Sequence, residues 1–477
     1  MGIRAKLGGR LAASRLLQVR GARLPRKALP ALLPLLAAAL FTFAAFGGES
    51  VEAQNAYRYT GVASCAGSTC HGRSEGNGKI VRQDEIATWQ EPAAVSGAHS
   101  RAFAVLASKR GRQITASLGL GDPQSAEACL GCHSTYAPAS ERGPKFRIDD
   151  GVSCESCHGP ASGWISSHYE VRGSHPANVA RGLTALEQPE IRARVCLDCH
   201  YGSTDRGQFV THAMMAAGHP RITFELDLFS AFQQHHDVDA DYVQRKGRLD
   251  SVQLWAVGQA EAVARATDLF ARPGYGTEGV FPQFYFYDCH SCHRPITDGP
   301  ERRLTFESNP GRPITFGQPP FNDENIIMLS AAAEVLAPGK AGSFRSASRD
   351  FHAAMDKGRP EAQQAAIKLR SEALELSGAL AGRGYSSNDA FDVVARIGSD
   401  ATRPRFTDYA GSAQAVMAID TLLNAMVAEG RVTVGAAAGI RADLNRAYTA
   451  VKSPATYKPA EYRAALASAV SSIGRLR

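Results

Sequence analysis

Ten cysteines form five pairs, and a histidine follows the second cysteine of each pair. Four pairs have the spacing C-x-x-C-H, and the remaining pair, at residues 65–71, reads C-x-x-x-x-C-H; numbered in chain order, this longer motif is the first and the motif at residues 289–293 is the fifth. Two thiols spaced in this way can form thioether bonds to the two vinyl groups of a haem, while the adjoining histidine binds its iron. Because only 14 of 477 residues are histidine, chance does not explain five such neighbours. The sequence therefore predicts five covalently attached haem c groups.

These motifs use every cysteine of the chain. The predicted thioether-forming residues are Cys65, Cys70, Cys129, Cys132, Cys154, Cys157, Cys196, Cys199, Cys289 and Cys292, and the predicted proximal iron ligands are His71, His133, His158, His200 and His293. Zinc ribbons and redox-active C-x-x-C sites are alternatives, but neither requires the trailing histidine. At the longer motif a disulfide between Cys65 and Cys70 is a further alternative, because exported proteins commonly form disulfides.

Nine further histidines could supply the second axial ligand, against seven methionines in the whole chain. This surplus predicts low-spin haems with two histidine ligands and low reduction potentials. The distal ligands that we expect are His99, His168, His212, His219 and His236. Of the adjacent His235 and His236 at most one can serve, because neighbouring side chains point in different directions. We expect other roles for His175, His290 and His352.

The elements around these histidines should position them. His99 lies in a stretch of helical composition, where Ala102, about one turn away, leaves room for a flat porphyrin. His212 and His219 are seven residues apart, which in a helix is two turns or about 10.5 Å. That separation suits ligation of two neighbouring irons. The Gly-His-Pro sequence at 218–220 predicts that the helix ends at His219.

The N-terminal segment has the pattern of an export signal. Residues 1–53 carry eight basic and two acidic residues, and an apolar stretch at 28–46 is followed by Val-Glu-Ala at 51–53. This order predicts cleavage after residue 53 and a periplasmic location, with an uncleaved membrane anchor as the alternative. The formal charge of +7 lies almost wholly in this segment, so the charge of the remaining chain gives no indication of nucleic-acid binding.

Composition changes again near residue 320. We expect a signal peptide at 1–53, a pentahaem domain at 54–320 and an Ala-rich helical domain at 321–477. Apolar stripes at helical spacing, such as Leu369, Ala373, Leu376 and Leu380, predict a bundle of four or five helices in the last part. The expected fold is therefore mainly α, with little regular sheet in the haem domain.

The motif order resembles that of a known family. The relevant features are the C-x4-C-H motif, Trp89, His99 and Ala102, the segment GVSCESCHGP at 151–160, and the segments at 212–227 and 284–293. Across residues 55–295 the chain resembles the multihaem c-type cytochromes related to the tetrahaem electron carrier of nitrifying bacteria. This resemblance implies closely spaced haems, electron transfer, and distal ligation by His99 and His168. The fifth motif and the helical tail depart from the tetrahaem pattern.

Two functions follow from these patterns. The first is a periplasmic electron-transfer protein with donor and acceptor redox partner proteins, because enough histidines exist to fill both axial positions of every iron. The second is an oxidoreductase in which one haem lacks a distal ligand and binds a small nitrogen or sulfur compound. The first interpretation is favoured, and the sequence identifies no catalytic residue.

Overall fold

The computed structural model describes residues 57–76, 82–170, 172–205, 207–275, 283–294, 311–315, 318–403 and 409–477. Residues 57–477 form one compact unit. The predicted export signal at 1–53 lies outside the described residues. Regular structure in the described part is helical, and the strand-like contacts found there are two isolated bridges, Tyr59 with Arg142 and Tyr287 with Phe321. The predicted mainly α fold is confirmed.

Short helices and turns make up the part of the chain that carries the first four motifs. The helices are α1 (Glu85–Gln90), α2 (Ala102–Leu106), α3 (Lys109–Leu118), α4 (Glu127–His133), α5 (Cys154–His158), α6 (His175–Val179), α7 (Pro189–His200), α8 (His212–Ala216), α9 (Leu226–Phe232) and α10 (Ala240–Lys246). Three C-x-x-C-H motifs form the last turn of a helix, so that the predicted proximal histidine is the final helical residue of α4, α5 and α7. The helical turn holds both cysteines and the histidine together.

A long helix, α11 (Ser251–Ala271), lies at the centre of the molecule. The Asp250 carboxylate caps its first turn by accepting hydrogen bonds from the backbone N–H groups of Val252 and Gln253. Sixteen of its residues are buried, on all faces of the helix. A helix that is apolar all round must be covered on every side, and α7, α9 and the C-terminal helices provide this cover.

Close packing between α9 and α11 depends on a glycine. A Cβ atom on Gly258 would lie 2.6 Å from the Cβ of Leu226, a side chain with no exposed surface. We expect Gly258→Ala to destabilise the protein by about 1–3 kcal/mol, because one of the two helices must move. Gly439→Ala is the control, since a Cβ there meets nothing within 4 Å and alanine favours helix. Urea unfolding should show a lower midpoint for the first variant alone; equal midpoints would contradict the packing argument.

Seven helices follow residue 320 in the described part of the chain, rather than the four or five that we expected. They are α12 (Glu324–Leu336), α13 (Pro338–Ala354), α14 (Arg359–Ala381), α15 (Asp389–Ala401), α16 (Tyr409–Ala428), α17 (Val434–Ala450) and α18 (Pro459–Gly474). The predicted stripe on α14 is fully buried. Helix α13 contains several Gly and Ser residues, which have weak helix propensity, and the burial of Phe344 and Phe351 stabilises it.

One hydrophobic core extends from residue 193 to residue 473. Within it, Glu261 on α11 accepts hydrogen bonds from Arg194 on α7, at 2.9 and 3.0 Å, and from the hydroxyl of Ser377 on α14, at 2.6 Å. These contacts join the region of the fourth motif to the C-terminal helices. The domain boundary at residue 320 stays a prediction. No helix among the described residues combines the length and apolar character needed to cross a membrane.

Candidate haem sites

Four of the predicted proximal histidines each face one predicted distal histidine. The ring centres are 6.3 Å apart for His71 and His168, 6.3 Å for His133 and His219, 6.2 Å for His200 and His99, and 6.0 Å for His293 and His212. An imidazole nitrogen binds a metal ion at about 2 Å, so two imidazoles on opposite sides of one iron have ring centres about 6 Å apart once the ring radii are added. The observed spacing fits an iron between each pair.

The remaining proximal histidine, His158, has two candidate partners. Its ring centre lies 6.2 Å from that of His235 and 6.1 Å from that of His236. Each of the three rings contributes one nitrogen atom, and these three atoms all lie within 4.8 Å of one another. Both rings of the adjacent pair therefore face the same motif, although their side chains were expected to point in different directions. That at most one of them binds the iron stays a prediction. His236 was the predicted ligand, and the structure brings His235 equally near.

The orientation of the rings also fits iron ligation. The Nδ1 atoms donate hydrogen bonds to backbone carbonyls: His133 to Ala102 at 2.8 Å, His168 to Ile165 at 2.6 Å, His219 to Pro220 at 2.7 Å, and His235 to Gln233 at 2.6 Å. A hydrogen bond at one ring nitrogen fixes the tautomer and leaves the other nitrogen free to bind a metal. In these rings the free atom is Nε2.

Burial keeps two of these rings neutral. Removal from water, reinforced by the neighbouring His99, lowers the pKa of His200 to about 4. Burial and the neighbouring His236 likewise lower the pKa of His235 to about 4. Because neutral imidazole is the form that binds metal, both side chains are in the binding form at neutral pH.

Different motifs lie side by side. The backbone N–H of Gly61, just before the first motif, donates to Glu155 of the third motif at 2.7 Å, and Sγ of Cys199 in the fourth motif lies 3.8 Å from the carbonyl oxygen of Gly131 in the second. Helices α5 and α7, which end in the third and fourth motifs, are also in contact. No disulfide joins any two of the ten cysteines in the structure. The chemistry of two thiols and one histidine in each motif fits the attachment of a haem.

The segment from His212 to His219 differs from the predicted helix. Helix α8 ends at Ala216, and Gly218 has a φ of 116°, which turns the chain before His219. The two histidines nevertheless face different motifs, since His212 lies beside His293 and His219 beside His133. A glycine in this conformation redirects the chain more sharply than a regular helix would.

The other three histidines have neighbours other than a proximal histidine. The Nε2 of His175 lies 2.8 Å from a carboxylate oxygen of Glu187. His352 is buried, and its Nδ1 donates to the carbonyl of Ser348 at 2.8 Å. His290, between the two cysteines of the fifth motif, donates to the carbonyl of Pro454 at 2.6 Å.

The fifth motif is attached to the C-terminal helices. The Asp288 carboxylate accepts a hydrogen bond from the backbone N–H of Ala410 at 2.8 Å, at the start of α16. The ring of His290 packs edge-on against Tyr457, with ring centres 5.1 Å apart. Residues of the tail therefore hold the segment that contains Cys289 and Cys292.

Two buried carboxylates near the motifs were not predicted. Glu85 lies 2.9 Å from Nδ1 of His71, and Glu155, inside the third motif, accepts backbone hydrogen bonds from residues 60, 61 and 161. No spacing rule joins Glu85 to a residue 14 positions away in a loop. Glu155 could have been noticed, because a charged residue between two haem-binding cysteines must be solvated or hydrogen-bonded.

Comparison with known proteins gives one match. The searches of curated proteins and of solved structures found no match to the chain. The proposed relationship to the tetrahaem carrier of nitrifying bacteria stays a prediction. The family model of cytochrome c554 and c-prime matches residues 64–159, which contain the first three motifs, and this match supports a c-type cytochrome that carries haem c and transfers electrons.

Proposed function

We propose that the chain is a periplasmic electron-transfer cytochrome that carries five haem c groups, each with two histidine ligands. The observation that supports this most directly is the approach of a second imidazole to each of the five proximal histidines, with ring centres 6.0–6.3 Å apart. An iron held between two imidazoles has no open position for a substrate. When bound, haem would supply a one-electron Fe(III)/Fe(II) couple.

The residues proposed to hold each haem follow from these pairs. His71 and His168 would serve the first motif, His133 and His219 the second, His158 with His235 or His236 the third, His200 and His99 the fourth, and His293 and His212 the fifth. The thioether residues are the two cysteines of each motif. The C-x4-C-H segment is included because its histidine has a partner at the same spacing as the others.

The proposed motifs form a series in space whose order differs from the order in sequence. The backbone just before the first motif is hydrogen-bonded to Glu155 of the third, α5 of the third motif contacts α7 of the fourth, and Cys199 of the fourth lies 3.8 Å from the carbonyl oxygen of Gly131 in the second, which gives the order first, third, fourth, second. The segment 212–219 then connects the second and fifth motifs through its two histidines. The first and fifth motifs are the ends of this series.

Exposure supports contact with redox partner proteins at these two ends. Of the ten cysteines, Cys70 in the first motif and Cys292 in the fifth are exposed, whereas the other eight are partly buried. A donor and an acceptor could therefore approach different ends of the protein. The partly buried cysteines of the inner motifs would keep the inner haems away from solvent, which favours transfer along the series over side reactions with solutes.

Haem count and spin state test the proposed function. In periplasmically matured protein, we expect an intact mass with five haem adducts and an electron paramagnetic resonance spectrum with low-spin ferric signals only. Cyanide and hydroxylamine should leave the spectrum unchanged. Four adducts with a Cys65–Cys70 disulfide would overturn the five-haem assignment. A high-spin iron that binds these ligands and turns over a nitrogen or sulfur compound would favour the oxidoreductase instead.

A further inference from the structure

Glu85 is a buried carboxylate between two of the proposed haem sites. Its side chain is 6% exposed and lies in α1, outside all five motifs. One oxygen, Oε2, is 2.9 Å from Nδ1 of His71, the proposed proximal ligand of the first haem. The other oxygen, Oε1, is 3.5 Å from Nδ1 of His236, a candidate distal ligand of the third haem. A single negative charge thus faces ligands of two irons.

This contact differs in kind from those of the other candidate ligands. His133, His168, His219 and His235 donate their Nδ1 protons to neutral backbone carbonyls. His71 donates to an ionised group that burial has removed from water, where hydrogen bonds to charged partners are strongest. A carboxylate acceptor raises the basicity of an imidazole and stabilises the higher oxidation state of the metal that it binds.

The second oxygen of Glu85 lacks a hydrogen-bond partner. Oε1 is buried, and its contact with His236 is slightly too long for a hydrogen bond. An unsatisfied buried oxygen is costly, so the carboxylate favours a position of His236 in which Nδ1 donates to it. That orientation leaves Nε2 of His236 free on the side of His158, 6.1 Å away between ring centres.

We propose that Glu85 is a positioning residue shared by the first and third haems: it accepts the Nδ1 proton of His71, orients His236 as the axial ligand of the third haem, and lowers the reduction potentials of both. The proposal rests on the proposed function, because it requires both haems. It makes the first and third motifs, which are also joined by the hydrogen bond from the Gly61 backbone to Glu155, the low-potential part of the series. Electrons would be passed from there toward the fourth, second and fifth motifs.

The test is a spectroelectrochemical titration of the matured protein and of Glu85→Gln. Glutamine fills the same volume but removes the charge. We expect two of the five reduction steps to shift to higher potential and the other three to stay in place. Asp84→Asn is the matched control: Asp84 adjoins Glu85 in sequence, but its carboxylate contacts Arg82, at 3.1 Å, instead of a histidine. The control should move neither of the two steps.

A second variant separates the action on each haem. In a His236→Ala background, Glu85→Gln should shift one step instead of two, because its contact with the third haem is already lost. The third haem should stay low-spin, since His235 can take the axial position. Unchanged potentials in Glu85→Gln with full haem content would overturn the proposal, as would equal shifts of all five steps. A failure of the proposed function itself would be visible beforehand, as a missing or high-spin haem in the unaltered protein.

Discussion

His99→Ala is expected to convert one haem of five from low-spin to high-spin iron and to open it to cyanide. His99 faces His200 with ring centres 6.2 Å apart, and α9 supports the site by packing Phe229 against His200 at 4.9 Å. Loss of one axial imidazole leaves a five-coordinate or water-bound iron, whose weaker ligand field gives the high-spin state. Electron paramagnetic resonance should show a new high-spin signal from about one fifth of the iron.

The fold should survive this change, because the main structural contact of residue 99 is made by its backbone. The carbonyl of His99 accepts hydrogen bonds from the N–H groups of Val152, at 3.0 Å, and Ala102, at 3.2 Å, and alanine keeps both. His175→Ala is the matched control, since that ring contacts Glu187 and no proximal histidine in the described structure. A fully low-spin spectrum in His99→Ala with five haems attached would remove His99 from the ligand set.

Local chemistry explains why the motifs could be found in the sequence. Two cysteines and a histidine within five residues are brought together by one helical turn, whatever the rest of the fold does, and α4, α5 and α7 end in this way. The apolar stripe on α14 was similarly readable, because helical periodicity alone places those residues on one face. Both features depend only on residues that lie close together in the sequence, so they can be recognised without knowing how the chain folds.

The pairing of histidines could not be predicted from spacing. His99 precedes the second motif yet lies beside His200 of the fourth, and His168 follows the third motif yet lies beside His71 of the first. These contacts depend on how the short helices pack against one another. The same holds for Glu85, whose two histidine neighbours come from different parts of the chain. The sequence also could not predict that both His235 and His236 approach His158, because this depends on where the two rings lie in the folded chain.

Glu155→Ala is expected to cause the largest loss of stability among single substitutions near the motifs. The side chain, in a residue only 3% exposed, accepts hydrogen bonds from the backbone N–H groups of Thr60 at 2.8 Å, Gly61 at 2.7 Å and Ala161 at 2.7 Å. Alanine would leave these donors without their acceptor. Two of these donors, Gly61 and Ala161, are buried, and at about 1–3 kcal/mol for each buried unsatisfied group we expect a loss of about 2–6 kcal/mol.

The position of Glu155 makes this loss specific to two haem sites. It lies between Cys154 and Cys157, and the strand-like segment that it binds leads directly into Cys65 of the first motif. Gly61 packs closely against the backbone of Lys145, since a Cβ at residue 61 would lie 2.2 Å from that carbonyl oxygen, and its φ of 84° favours glycine. We therefore expect reduced attachment of the first and third haems together.

Two further variants distinguish the loss of this hydrogen-bond acceptor from a general effect of removing a carboxylate. Glu155→Gln keeps one carbonyl oxygen and should lose about half as much stability as Glu155→Ala. Glu170→Ala removes an exposed carboxylate from a neighbouring segment and should behave like the unaltered protein. Urea unfolding measures the stabilities, and intact mass after maturation counts the haems. Full haem attachment and unchanged stability in Glu155→Ala would show that the carboxylate does not hold the first and third motifs together.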